Sequence, residues 1–318
     1  MPGEPGSGPI SEFQNKQPAD PGSDQSNSLH SIPPRPWGRQ DRNRLLIWVV
    51  MAFILPAPFI LLLHLWIKPS GSVFTIQSEL PTKAIISFFV VLATWWVSRQ
   101  EDRPLSDYGI PLRQAFGKRF WEGSVWGFAA LSALLLILHL SGHFQIDSVA
   151  LTGNAVSRYA LGWAAVFLAV SISEEFAFRG YWLFSFSRRI RFWPAALATS
   201  VVFGAAHLGN PGENVLGILQ VIAVGILLCL TIRRTGNLWF ALGFHAAWDW
   251  AETFFYGTPD SGLLGVGRFL NSSVQGPNWL TGGSAGPEGS ILVFLVFALC
   301  ALLIHLRFPK DIYPDRPI

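Results

Sequence analysis

The chain has 318 residues, half of them hydrophobic and only 14% charged, with a mean hydropathy of +0.36 and fourteen Trp. This composition excludes an ordinary water-soluble surface and reads as a protein that crosses a bilayer several times. The formal charge is +3 and the pI about 9.0, but the basic residues stand in short clusters between apolar runs, a pattern of membrane topology and not of a nucleic-acid-binding face.

Residues 1–36 are rich in Pro, Gly, Ser, Gln and Asn and nearly lack aliphatic side chains, so they cannot bury enough surface to fold. A disordered cytoplasmic tail is expected to about residue 40, followed by a transmembrane helical domain over 41–318. Arg35, Arg39, Arg42 and Arg44 precede an apolar run from Leu45 to Ile67 that is too long for a signal-peptide core and lacks a small-residue cleavage pattern. It is expected to span the membrane with a kink at Pro56 and Pro58. Further apolar runs cover Ala84–Val97, Trp121–Leu140, Arg158–Phe178, Pro194–Leu208, Val215–Ile232, Leu238–Tyr256 and Ile291–Leu306. The fold expected is all-α, a polytopic bundle of about eight transmembrane helices enclosing an intramembrane cavity.

Lys and Arg concentrate in alternate connections: Arg99 to Arg119, Arg188 to Arg191, Arg233 and Arg234, and Arg307 onward. The intervening connections hold only Lys68, Lys83, Arg158 and Arg268. Both termini are therefore expected in the cytoplasm, in a cell membrane of bacterial type, with Gly257–Gly289 outside as an irregular loop. Residues 100–120 read as an interfacial segment. Gly123-x-x-x-Gly127 reads as ordinary close helix packing. Cys229 and Cys300 read as small hydrophobes, and His64, His139, His143 and His305 as structural or interfacial residues.

The stretch Ser173-Glu174-Glu175-Phe176-Ala177-Phe178-Arg179-Gly180 sets two carboxylates and a guanidinium in an apolar run. In hydrocarbon each such group costs about 2.5–3.5 kcal/mol on insertion scales, so it pairs, faces the interior or marks a site. Four residues apart on a helix, Glu175 and Arg179 share one face and pair, leaving Glu174 free for chemistry. Glu174 and His207 each lie about sixteen residues from the turn at Ile190–Arg191, so antiparallel helices at 1.5 Å per residue bring them to one depth. His245 and Asp249, one turn apart beyond Arg234, reach nearly that level, in the cytoplasmic half or near the midplane. A carboxylate and an imidazole so placed activate water, and a second His-Asp pair faces an oxyanion. No Gly-x-Ser-x-Gly and no His-Glu-x-x-His is present.

Glu174-Glu175-x-x-x-Arg179, Phe203-x-x-x-His207 and His245-x-x-x-Asp249, in this order, resemble the three motifs of the CPBP family of intramembrane proteases, which includes CAAX prenyl proteases of the Rce1 type and bacteriocin-immunity proteins. The likeness covers about 120–256. It implies a helical bundle around a conical cavity, Glu174 and His207 activating water, His245 with residue 249 stabilising the oxyanion, and Glu175 and Arg179 in support. It also implies a hydrophobic or lipidated peptide substrate, of prenylated CAAX type in part of the family, within a lipid bilayer.

Many family members have Asn where this chain has Asp249. An ionised Asp cannot donate to an oxyanion, so Asp249 is either protonated or orients His245. Zinc held by Glu174, His207, His245 and Asp249 is the competing arrangement, with metal-free hydrolysis preferred and no cofactor expected. A rival function is non-catalytic: transport, binding or protein protection by the same buried polar groups, although no inverted repeat supports transport.

Overall fold

The computed structural model describes residues 38–67, 73–210, 212, 214–313 and 315, together with Gly3. Apart from Gly3 and its last three residues, the expected tail lies outside the described residues. All eight apolar runs are helical. The first consists of α1 (Arg39–Val49) and α2 (Pro56–Trp66), joined by a π-helical turn at Val50–Ile54. Pro56 has no N–H to give, and the widened turn closes just before it, with Leu55 N bonded to Val50 O at 2.9 Å. The second run is α3 (Ile76–Gln100), opened by Thr75, whose hydroxyl accepts from Ser78 N. The third is α4 (Lys118–Leu140).

Next come α5 (Asn154–Glu174), a π-helical segment at Glu175–Trp182 and α6 (Leu183–Ile190), which form one continuous helix of 37 residues. α7 (Phe192–Ala206), α8 (Val215–Thr235) and α9 (Trp239–Trp250) follow, the last continuing as a π-helical segment at Ala251–Tyr256. Among the described residues, five helices are long and apolar enough to cross a membrane, namely Arg39–Trp66, Ile76–Gln100, Lys118–Leu140, Asn154–Ile190 and Val215–Thr235. The protein is an α-helical, polytopic bundle.

The segment expected as an irregular loop, Gly257–Gly289, instead carries regular structure and is mostly buried or half-buried. It carries β3 (Leu264–Gly265), β4 (Leu270–Val274) and the short α10 (Asn278–Thr281) before the last helix, α11 (Leu292–Arg307). β3 pairs in parallel with β1 (Val73–Phe74), and β4 pairs antiparallel with β2 (Phe144–Val149). Each strand is too short to announce itself in sequence, and each is stabilised by a partner far along the chain. Residues 100–120 also pack onto the bundle: Tyr108 and Ile110 are buried, Leu238 N donates to Gly109 O, and Trp239 Nε1 donates to Pro111 O.

Ion pairs gather the basic clusters onto one face. Arg188 reaches Glu101 at 3.1 Å, Arg189 reaches Asp41 at 2.9 Å, and Arg233 and Arg234 both reach Asp311, at 2.9 and 2.8 Å. Arg191 and Arg233 share Asp315, while Arg119 and Arg307 share Glu122. The start of α1, the ends of α3, α6, α8 and α11, and the start of α4 thus lie together. The two small sheets tie the opposite ends of the bundle.

Outward-facing Leu295, Leu299, Leu302 and Leu306 make a lipid-facing stripe on α11, and one turn of α9 after another is buried against α4. The α4–α9 contact brings backbone against backbone. A Cβ added at Gly123 or Gly127 would overlap the carbonyl oxygen of Phe240 or Phe244, and one at Gly243 would overlap that of Phe120. The Gly-x-x-x-Gly motif therefore sets the distance of the helix that carries His245 and Asp249. We expect Gly127→Ala to destabilise the protein by about 1–3 kcal/mol or more, because only backbone can yield there. Leu136→Ala, on an exposed part of the same helix, should change stability by less than about 0.5 kcal/mol. Thermal unfolding in detergent reads both, and equal effects would show that the close approach is not needed.

Candidate active site

Glu174 ends α5 and Glu175 opens the π-helical segment, so the two carboxylates part company at a widened turn. π-helical turns recur at functional sites because they redirect side chains that an α-helix would stack evenly. Glu175 and Arg179 are fully buried, and Arg179 Nη1 donates to Glu175 Oε1 at 2.8 Å. The pair expected from the spacing is present. The guanidinium also lies 4.0 Å from the centroid of the Phe203 ring, a cation–π contact in a dry setting. Gly225 makes room for it, since a Cβ there would stand 2.7 Å from Arg179 Nη2. Arg179 Nε and Nη2 have no hydrogen-bond partner among the described residues, which leaves the π face as their compensation.

Glu175 has a second partner that sequence reasoning missed. His245 Nδ1 lies 2.9 Å from the same Oε1, and because a carboxylate only accepts, the nitrogen donates. His245 Nε2 then faces Asp249 Oδ2 at 3.3 Å and Glu174 Oε2 at 3.8 Å. Glu175 thus anchors an arginine on its own helix and a histidine seventy residues away. A spacing rule finds the first contact and cannot find the second.

His207 caps the end of α7, with its ring edge-on to Phe203 at 4.7 Å between centroids. Its Nδ1 donates to Phe203 O at 2.8 Å, so in the neutral ring Nε2 carries the lone pair. Glu174, His207, His245 and Asp249 all line one cavity of about 1090 Å³, whose walls include Val166, Phe178 and Val221. The Glu174 side chain is 24% exposed, against 0% for Glu175. The carboxylate left free by the motif is the one that reaches the cavity.

Other lining residues were read differently in sequence. Lys83 served there only as a topology marker, Glu79 was given no role, and His64 was assigned a structural place; all three line the cavity, and His64 Nε2 lies 3.4 Å from Thr82 Oγ1. His139, His143 and His305 lie elsewhere and bond to Phe144 O, Ser141 Oγ and Arg234 respectively.

Zinc needs its donors gathered about a single point, roughly 2.0–2.2 Å from each nitrogen or oxygen. Among the described residues, the group whose possible ligand atoms all lie within 4.8 Å is Glu252, Asp260 and Glu288, oxygen donors alone, and not Glu174, His207, His245 and Asp249. As placed, the motif residues are not gathered that closely. The acidic group lies at the strand end of the cavity, where burial, together with the Asp249 and Glu288 charges, holds the Asp260 carboxyl well above its usual range.

The double engagement of Glu175 changes what mutation should do. Arg179→Gln or Glu175→Gln strands a buried charge, which typically costs about 3–5 kcal/mol. The double variant should be better folded than the worse single variant, because no lone charge of this pair remains. It should still lack turnover, since His245 Nδ1 then meets a neutral amide in place of a carboxylate. Unfolding midpoints and turnover measured together check this. A double variant no better folded than the worse single one would show that the two groups are not energetically coupled.

Comparison with known proteins places this geometry. Residues 156–251, which run from α5 through the whole of α9, match the family model described as "Type II CAAX prenyl endopeptidase Rce1-like". No curated protein and no solved structure matches the chain. The matched stretch contains all three motifs, and over residues 156–251 this match supports assignment to the CPBP/CAAX protease family.

Proposed function

We propose that the protein is an intramembrane endopeptidase that hydrolyses a peptide bond of a hydrophobic or lipidated substrate with water activated by Glu174 and His207, without a metal. The observation that carries this reading is the convergence of Glu174, His207, His245 and Asp249 on one apolar-walled cavity, with His245 held by Glu175 from behind. Apolar walls suit a greasy peptide, and the few polar groups among them are those that hydrolysis needs. The family match supports a CAAX-type intramembrane protease; a prenylated target is named in that family's description and enters here only as one form of lipidated substrate.

In this mechanism Glu174, with its carboxylate in the cavity, takes the proton of the attacking water and later delivers it to the leaving amine. His207, with Nδ1–H committed to the Phe203 carbonyl, accepts a hydrogen bond from the same water at Nε2 and aims it. The substrate carbonyl gathers negative charge as water adds, and His245 Nε2–H donates to it. Asp249 orients that N–H. Arg179 never touches substrate; it holds Glu175, which holds the ring.

Glu174→Gln should lower turnover about 10²–10⁴-fold while the protein still inserts and unfolds at its normal temperature. Near-native turnover by a folded Glu174→Gln protein would sink the assignment.

The metal question has its own test. Asp249→Asn keeps shape and polarity, so it should remain active with a modest loss, and elemental analysis of the native protein should show no stoichiometric metal. Turnover should also survive a strong chelator. Stoichiometric zinc lost together with activity in Asp249→Asn or His207→Ala would instead assign these residues as ligands.

A further inference from the structure

We infer that the candidate active site is entered from the extracytoplasmic side, so that its substrates are apolar peptide segments presented from outside the cell membrane and not lipid-tailed C-termini presented from the cytoplasm. The inference rests on the protease reading for the word substrate, but the side of entry stands on geometry and on the distribution of Lys and Arg. It also sets the opening opposite to the cytoplasmic half, which with the midplane was where sequence depth had set the site.

Two faces can be told apart without a membrane. One is the ion-paired face, where Arg188, Arg189, Arg191, Arg233, Arg234, Arg119 and Arg307 meet Asp41, Glu101, Glu122, Asp311 and Asp315. The other is closed by the two small sheets, through β1 with β3 and β2 with β4. Orientation in a bilayer follows the number of Lys and Arg in short connections and is nearly blind to Asp and Glu. The salt bridges that neutralise the first face therefore leave its topological meaning intact, and that face is the cytoplasmic one.

The cavity belongs to the second face. Beyond the motif residues, its partly exposed polar lining comes from the end of α2 (His64), the start of α3 (Glu79 and Lys83), the α7–α8 connection (Asn210) and the strand-bearing segment (Asp260 and Ser261). None comes from the connections at 101–117, 188–191 or 236–238, nor from the stretch after Arg307. Toward the basic face the cavity ends on buried Ala177, Phe178, Leu228 and Phe244. Behind these lies a floor of fully or almost fully buried rings, Trp48, Tyr181, Phe184 and Phe192, with Tyr181 stacked on Trp48 at 5.2 Å between centroids. Water and a peptide backbone cross such a floor only at the cost of desolvating every polar group they carry.

Single-cysteine labelling in intact cells decides the point. Cys229 and Cys300 are buried and provide an unreactive background. Trp279→Cys marks the exposed surface of the sheet face, Leu112→Cys marks that of the basic face, and Asn210→Cys reports the cavity itself. A membrane-impermeant maleimide added outside should label Trp279→Cys and Asn210→Cys, and should label Leu112→Cys only after permeabilisation. The reverse pattern, or labelling of both surface markers from one side, overturns the inference, as does an Asn210→Cys protein that reacts only from the cytoplasmic side. Turnover is not needed for this readout. An apolar quenched peptide offered to detergent-solubilised protein, where both faces are open, tests the protease reading separately. With sealed vesicles of either orientation, cleavage should occur only where the sheet face is exposed to the peptide.

Discussion

The bundle depends on a three-way contact with Glu175 at its centre. A carboxylate with no solvent exposure is tolerated only when cations or strong donors surround it, and here one oxygen receives both Arg179 Nη1 at 2.8 Å and His245 Nδ1 at 2.9 Å. The arginine comes from the same helix and the histidine from α9, so a single buried charge fixes the rotation of two elements. Around it the chain has cleared space: Gly225 admits the guanidinium, and Phe203 offers its ring face. Four features that are separate in sequence become one object, and disturbing any of them moves His245.

That constraint explains why two glutamates stand side by side. Neighbours on a helix cannot share surroundings, since each residue advances about 100° around the axis. The π-helical segment that begins at Glu175 increases the divergence, and the outcome is a carboxylate sealed in the protein beside one that is 24% exposed to the cavity. The sealed group supplies position, and in the proposed mechanism the open group supplies basicity. Neither could serve both ends, because a base must meet water and an anchor must be kept from it.

Much of this was legible in the sequence because hydrocarbon permits few exceptions. All eight apolar runs became helices, and the Glu175–Arg179 pair followed from four-residue spacing. Glu174, His207, His245 and Asp249 do share a cavity, as their depths implied. The contact of Glu175 with His245 was not legible, since it depends on the rotation of α9, which close packing of Gly123 and Gly127 against Phe240 and Phe244 helps to set. Nor were the π-helical segments, because an extra residue in a turn leaves the apolar pattern almost unchanged while turning every later side chain. The order of Gly257–Gly289 was hidden for another reason. Its strands of two and five residues have no sequence signature without partners at Val73–Phe74 and Phe144–Val149.

The short length of α7 connects these observations to the shape of the site. At 15 residues it rises only about 22 Å, less than a typical hydrocarbon core, so it stops while still within the bundle. His207 sits at that stop, and the polar connection after it is held by Ser284 Oγ, which donates to Gly212 O from the strand-bearing segment. A full-length helix would have filled this volume with side chains. By ending early, α7 leaves room for the cavity, and its final carbonyls need partners in place of the helical ladder. His207 Nδ1 supplies one of them to Phe203 O, and in doing so leaves its Nε2 free. The cavity, its polar rim and the protonation pattern of one of its histidines thus follow from a helix that is a turn and a half too short to cross.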